Sequence, residues 1–315
     1  MFLAALAFGA CLAGAGLPPA PRVAILIDDI GYQSTADLQA LGLAGAYSYA
    51  VLPHAPHGAR FSAAARALGR DSLLHLPMEA ESRNELLGPG ALRRGMDEPA
   101  MTATLEDALA SVAPVVGINN HMGSRLTREP RAMRRLALSL GHTAPQMFFV
   151  DSRTTPRTVA ASVLRKAGIP VLERDVFLDH VRRPSAIRQQ LERLVRLAHR
   201  RGSALGIGHP YRETLSVLRG FRPAAAGVRL VPISALPRGG GAAGTLQLAG
   251  AEVPICGEAV RPQRSRVANA RSSITAPRPP STHTPAGNAL QWPAKSSATL
   301  WSTPAAMMSP TPATE

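Results

Sequence analysis

Along residues 22–237 two rhythms of apolar and polar positions take turns. Short continuous apolar runs, of which Val23-Ala24-Ile25-Leu26-Ile27 is the most β-branched, predict strands buried on both faces. The runs fall at 23–27, 46–52, 72–76, 115–118, 147–150, 169–172, 204–207 and 228–233. Between them, apolar residues recur every three to four positions, predicting helices over 35–43, 57–68, 99–112, 130–140, 155–167, 184–201 and 213–218. Ser34 and Asp97 are the expected caps of the first and third helices, and Thr155-Pro156 opens the fifth. Gly69, Gly141, Gly168 and Gly202 stand where helices should close. Strand–helix alternation implies a mostly parallel sheet covered by helices, and seven or eight units in about 215 residues suit an irregular α/β barrel of (β/α) units.

The pattern fails at both ends. Residues 1–21 are apolar and rich in small side chains, with Ala13-Gly14-Ala15 as a cleavage-like stretch, so they read as a signal-like leader. That predicts an exported, periplasmic or envelope protein, or one associated with the membrane through an uncleaved leader. After Pro237 the run Gly239-Gly240-Gly241 breaks the alternation. Residues 238–315, rich in Pro, Ser, Thr and Ala, are expected to be disordered.

Apolar content of 45% supports a real core, and aromatic content of only 4% means that Ala, Leu and Val must fill it. The formal charge of +14 comes from Arg far more than Lys. With no basic block interleaved with aromatics and no DNA- or RNA-binding motif, it reads as charge spread along an Arg-rich chain, and nucleic acid is set aside as a partner. Cys11 and Cys256 lie in the leader and the tail, which excludes a disulfide framework and a cysteine zinc site. A metal would need His and carboxylates.

Those residue types gather where the predicted strands end: Asp28 and Asp29, His75 and Glu79, Asn119, Asn120 and His121, Asp151, and His209. Parallel α/β folds bind ligands at the carboxyl ends of their strands, so these side chains share one rim. Such a set suits metal-assisted hydrolysis. One carboxylate and two imidazoles hold a divalent cation, a second carboxylate takes a proton from water, and another imidazole donates one to the leaving group. No Gly-x-Ser-x-Gly elbow and no phosphate-binding glycine loop compete with it.

The stretches Ile27-Asp28-Asp29-Ile30-Gly31, His75-Leu76-Pro77-Met78-Glu79, Gly117-Ile118-Asn119-Asn120-His121-Met122-Gly123-Ser124, Phe149-Val150-Asp151-Ser152-Arg153-Thr154 and Gly206-Ile207-Gly208-His209-Pro210, in this order, resemble the divergent polysaccharide deacetylase family, a distant branch of the carbohydrate esterases. The resemblance covers about 22–234. It implies a distorted β/α barrel, a divalent metal with zinc foremost, and an acetylated envelope polysaccharide or oligosaccharide, peptidoglycan included, as substrate and partner. By the same match Asp28 is the catalytic base, Asp29 a metal ligand, His75 the first of two histidine ligands and His209 the general acid. Glu79 stands where the second histidine would be and is counted among the candidate ligands. His121, from the next strand, can supply the missing imidazole by its chemistry rather than by a motif. Asp151 either orients His209 or the metal site, or caps the helix near Thr155. The Glu79 departure leaves open a non-catalytic glycan- or partner-binding protein of the envelope that retains the fold.

Overall fold

The computed structural model describes residues 20–238. The leader expected over 1–21 and the tail expected over 238–315, with Cys11 and Cys256, lie outside the described residues except for their inner edges. The chain runs β1 (Arg22–Ile30), α1 (Ser34–Leu41), β2 (Ser48–Val51), α2 (Gly58–Ala67), β3 (Ser72–Met78), α3 (Glu98–Val112), β4 (Gly117–Met122) and α4 (Pro130–Thr143). It continues through β5 (Phe148–Asp151), α5 (Ala160–Lys166), β6 (Val171–Glu173), β7 (Val176–Phe177), α6 (Pro184–Arg201), β8 (Ser203–Gly208), α7 (Arg212–Gly220) and β9 (Arg229–Leu230).

Every strand pair is parallel, in the order β6-β5-β4-β3-β2-β1-β8-β7, with β9 beside β1. The two ends of that order belong to one stretch of chain. After β6 leaves β5, the Arg174 N–H still donates to the Asp151 carbonyl at 3.0 Å, while the Asp175 N–H donates to Leu205 at 2.9 Å. Residues 171–177 thus hand over from β5 to β8, and the sheet curls into the expected irregular barrel.

Two apolar cores follow from the two-residue period of the strands. Val23, Ile25 and Ile27 face outward into a large core shared with the helices, which also takes Leu74, Leu76, Ile118 and Phe149. Ala24, Leu26, Ala50, Leu73, Phe148, Val150, Leu205 and Ile207 face inward, together with Val231, Ile233 and Leu236. The last three sit at the amino end of the strands. There the Ile233 N–H donates to Ser48 Oγ at 2.9 Å and the Ser234 N–H to Asp71 at 2.8 Å. Apolar side chains therefore fill the barrel from below and leave polar positions at the carboxyl end. No helix among the described residues is long and apolar enough to cross a membrane.

Several boundaries moved for local reasons. Asp97 caps α3 as expected, accepting the Ala100 N–H at 3.0 Å, and Gly202 ends α6 with φ of 78°. Ser34 is helical rather than a cap; Asp37, one turn in, reaches back to accept the Gly31 N–H at 3.0 Å. The fifth helix begins at Ala160, not at Thr155, because Thr158 turns its hydroxyl to Asp151 at 2.8 Å and the Val159 N–H goes to Thr127. Gly141 does not stop α4, which runs on to Thr143, and the last strand shrinks to two residues as the chain turns to plug the barrel.

Asp37 is 2% exposed, and burial pushes its carboxyl up to about 7 despite the Gly31 and Gln33 N–H groups, with the Asp29 charge adding to the rise. The folded state thus keeps a proton that the unfolded chain releases near pH 4. The associated stability is present below that pH and is lost as pH rises toward 7. Asp37→Asn keeps an acceptor for Gly31 without the charge. In paired thermal melts its Tm relative to the parent should climb steadily from pH 5 to pH 8; a difference that stays flat rules out this buried carboxyl as the cause.

Candidate functional site

The inward rows of the strands, read toward their carboxyl ends, lead directly to chemistry. Leu73 is followed two residues on by His75, Leu205 and Ile207 by His209, and Ala24 and Leu26 by Asp28. On β4 the row through Gly117 carries Asn119 and His121. Asp29 has the opposite parity and would point outward on a regular strand. It does not, because the β1–β2 register slips between Ile27 and Ile30 and Asp29 takes φ of 60°. An irregularity of this kind re-aims a side chain, and Asp is among the few residues that tolerate the left-handed conformation. Gly31, at φ of 122°, completes the turn where a Cβ would lie 2.5 Å from Ala55 Cβ.

The result is a triangle of donors. Asp29 Oδ1 lies 3.1 Å from His75 Nε2 and 3.1 Å from His121 Nδ1, and the two nitrogens are 3.2 Å apart. Asp29, His75 and His121 form the group of ligating atoms in the described residues that one ion could share. Tautomers follow from the other ring atoms. Asn119 commits its NH2 to Asp28 Oδ1 at 3.0 Å and Ser152 Oγ at 3.2 Å, so its oxygen, 2.9 Å from His75 Nδ1, accepts the proton there. That leaves His75 Nε2 as the ring atom turned toward Asp29. His121 Nε2 faces the Leu86 carbonyl at 3.5 Å, so Nδ1 is the ring atom turned toward Asp29. Asp29 Oδ1 is buried yet accepts no hydrogen bond. Two converging ring nitrogens and an orphaned carboxylate oxygen at this spacing fit one cation with bonds of about 2.0–2.2 Å, and the mixed set of one oxygen and two imidazoles suits zinc.

Charges on either side complete the site. Burial is the largest influence on Asp28 and raises its pKa, with Asp29 adding, against His75, His209 and the Asn119 hydrogen bond. Burial also works against ionised Asp29, but His121, His75 and His209 outweigh it and hold that carboxyl well below the usual range. His209 Nε2 stands 3.7 Å from Asp29 Oδ2. Its Nδ1 pairs with Asp179 Oδ1 at 3.0 Å, and its backbone N–H donates to Asp179 Oδ2 at 2.6 Å. Burial would lower the His209 pKa, but Asp179 and the Asp29 and Asp28 charges raise it to about 9, so the ring carries a proton at neutral pH. Thr214 Oγ1 also donates to Asp179, at 2.8 Å, and a Cβ on Gly208 would come within 3.1 Å of that carboxylate. Tyr211 stacks on His209 with centroids 5.1 Å apart.

Asp28, Asp29, His75, His121 and His209 thus meet, as the sequence suggested. Two other candidates do not join them. Glu79 lies past the end of β3 and accepts the Arg94 N–H at 2.9 Å, with the Arg125 guanidinium 3.4 Å away, so its carboxylate serves the rim loops and not the donor triangle. Asp151 shares the outward parity of Phe149 and accepts the Arg153 N–H and the Thr158 hydroxyl, each at 2.8 Å. It shapes the turn before α5, and it neither orients His209 nor caps a helix at Thr155. The carboxylate that orients His209 is Asp179, which the sequence reading passed over. Its signal was there: an acidic residue closing the apolar run Val176-Phe177-Leu178, as Asp28 closes its own. Arg174 was also missed. It holds the Ser152 and Arg153 carbonyls at 2.6 and 2.9 Å, and its charge lies in the field of Asp28.

The divergent polysaccharide deacetylase family profile matches residues 25–237. The uncharacterized protein YibQ of Escherichia coli is 37% identical over 214 residues, covering 68% of this chain and 66% of that protein, just under two thirds of its length. An uncharacterized protein of Haemophilus influenzae is 33% identical over 218 residues, or 69% of this chain and 77% of that one. Among solved structures, the uncharacterized protein ATU2773 of Agrobacterium tumefaciens superposes with a TM-score of 0.65 at 23% identity, over 69% of this chain and 89% of that one, which supports the shared fold.

Isothermal titration of the chelator-stripped protein with zinc separates these residues. Asp29→Ala, His75→Ala and His121→Ala should each weaken binding at least tenfold, whereas Glu79→Gln and Asp151→Asn should stay within about threefold of the parent. Equal loss in the Glu79 variant would move the ion away from the triangle.

Proposed function

The chain belongs to the divergent polysaccharide deacetylase family, and from that premise we propose that it is a metal-dependent hydrolase removing acetyl groups from a polysaccharide or oligosaccharide of the cell envelope. The observation that carries this reading is the donor triangle of Asp29, His75 and His121, flanked by the buried Asp28 carboxyl and by His209 paired to Asp179. A divalent ion held there, zinc by the donor set, would supply Lewis acidity toward the acetyl carbonyl and an acidified water.

The remaining chemistry belongs to the chain. Asp28 is aligned by Asn119 and left off the triangle, and its raised pKa gives it the proton affinity that a base needs toward water. His209 is charged at neutral pH and fixed by Asp179, so it can protonate the departing amine or alcohol. Access comes from the side of Asp29 and His209, whose side chains are 33% and 17% exposed, while His75 and Asp28 lie behind at 2% and 5%. The open corner of the triangle, at Asp29, therefore faces the substrate. The rival reading, a glycan binder without turnover, drew on Glu79 replacing a histidine. With His121 supplying the second imidazole, that replacement does not thin the donor set.

Acetate release from acetylated chitooligosaccharides and from acetylated peptidoglycan tests the proposal. Zinc-loaded protein should release acetate and chelated protein should not. Asp28→Asn should lower kcat by about 10²–10⁴-fold with zinc binding intact. Binding of these glycans with no acetate released by the zinc-loaded parent would favour the binder. The pH profile carries a further sign. Activity that needs protonated His209 falls on an alkaline limb, and Asp179→Asn removes a partner that raises that pKa, so the limb should move to lower pH.

A further inference from the structure

The basic charge is not spread along the chain as the composition suggested. Residues 20–180 carry 17 Lys or Arg against 16 Asp or Glu, a nearly neutral balance, whereas residues 181–229 carry 11 Arg against 2 Glu. That second segment is α6, β8 and α7, and the two helices pack side by side on the outside of the barrel. At 100° per residue, Arg188, Arg193, Arg196 and Arg200 share one arc of α6, opposite the buried Ile187, Leu191, Leu194 and Ala198. Arg212 and Arg219 lie on the outward face of α7. Among the described residues, only Arg182, Arg196 and Arg201 of this segment find a carboxylate, on Glu213, Glu192 and Asp175.

We propose that this face is the docking track for a polyanionic polysaccharide, the acidic chain of the same substrate whose acetyl group enters the site. The inference rests on the hydrolase reading and names the substrate class that it leaves open. Three observations carry it. First, the track begins at the site: the Arg182 guanidinium lies 3.8 Å over the Tyr211 ring, and that ring stacks on His209. Second, α6 is 18 residues, about 27 Å, so a polymer can follow the face while a short oligosaccharide at His209 cannot span it. Third, Arg196 and Arg200 repel one helical turn apart with a single acidic residue on their helix, and anions lying along the face relieve that repulsion. The outward positions of α6 offer no apolar wedge for lipid, and the one ring among them, His199, is tied through Nε2 to the Ala226 carbonyl at 2.9 Å. Guanidinium groups pair in a planar, two-pronged way with the carboxylate and phosphate groups that acidic glycans bear.

The test uses the full chain and four probes at fixed low salt: polygalacturonate, neutral dextran, duplex DNA and phosphatidylglycerol vesicles. Arg188→Glu, Arg193→Glu, Arg196→Glu and Arg200→Glu combined should raise the apparent Kd for polygalacturonate at least tenfold. A charge-matched control, Arg66→Glu, Arg131→Glu, Arg134→Glu and Arg157→Glu, should change it less than threefold. Both variants should keep the parent Tm within a few degrees and the parent rate on a short acetylated chitooligosaccharide. Equal loss in the two variants, binding of dextran as tight as polygalacturonate, or tighter binding of DNA or vesicles overturns the track. If the probes behave as expected but no glycan yields acetate, the track stands as a glycan-binding face and the hydrolase reading fails alone.

Discussion

Two adjacent carboxylates, Asp28 and Asp29, share one pocket at the end of the central strand, and the site is built around making that tolerable. Two unit charges 4 Å apart repel by about 4 kcal/mol even at an effective dielectric near 20, and withdrawing each from water costs several kcal/mol more. Desolvation accordingly heads the influences on both groups. The neighbouring imidazoles of His121, His75 and His209 keep Asp29 ionised, and the Asn119 amide donates a hydrogen bond to Asp28. The two carboxyls respond in opposite directions, one rising and one falling well below its usual range. In the proposed hydrolase, this divergence would separate a proton acceptor from a cation ligand with two copies of the same side chain.

Which residues meet in that pocket was largely legible from strand parity. Inward apolar positions every second residue lead to Asp28, His75, His121 and His209 without knowledge of the fold. The same rule shows why Asp151 is absent: it alternates with Phe149 on the helix-facing side, so its carboxylate had only the turn before α5 to serve. Asp29 breaks the rule through the bulge at the end of β1. No local sequence signal reveals that break except the Gly two residues later, which permits the left-handed turn. Asp179 escaped because β7 has only two residues and pairs at the point where the chain changes neighbours. A strand that short leaves almost no periodic pattern.

The placement of Glu79 shows where motif spacing stops being informative. It is the fourth residue after His75, a spacing that brings two side chains to one face of a helix but carries the chain beyond the end of β3 here. The second imidazole comes instead from β4, which runs four residues beyond its apolar stretch. His75 pairs in register with Asn119 and Pro77 with His121, and this pairing sets the two rings edge to face 4.9 Å apart. The imidazole pair is therefore a property of two neighbouring parallel strands rather than of one segment.

Strain and packing are divided between the two ends of the barrel. Asp29, Met122 and Arg153 all have positive φ, at 60°, 54° and 50°, and they follow or end β1, β4 and β5 on the rim that holds the site. Left-handed backbone costs on the order of 1 kcal/mol or more per non-glycine residue, so the rim is held against its local preference. The other end makes no such concession. Val231, Ile233 and Leu236 close it with apolar side chains, and Ser48, Asp71 and Arg22 bind the backbone of the same segment. A fold that concentrates its apolar closure at the amino ends of the strands can tolerate buried charge and strained backbone at the carboxyl ends. The cluster of acid–base residues is found at the end where the packing leaves polar positions for it.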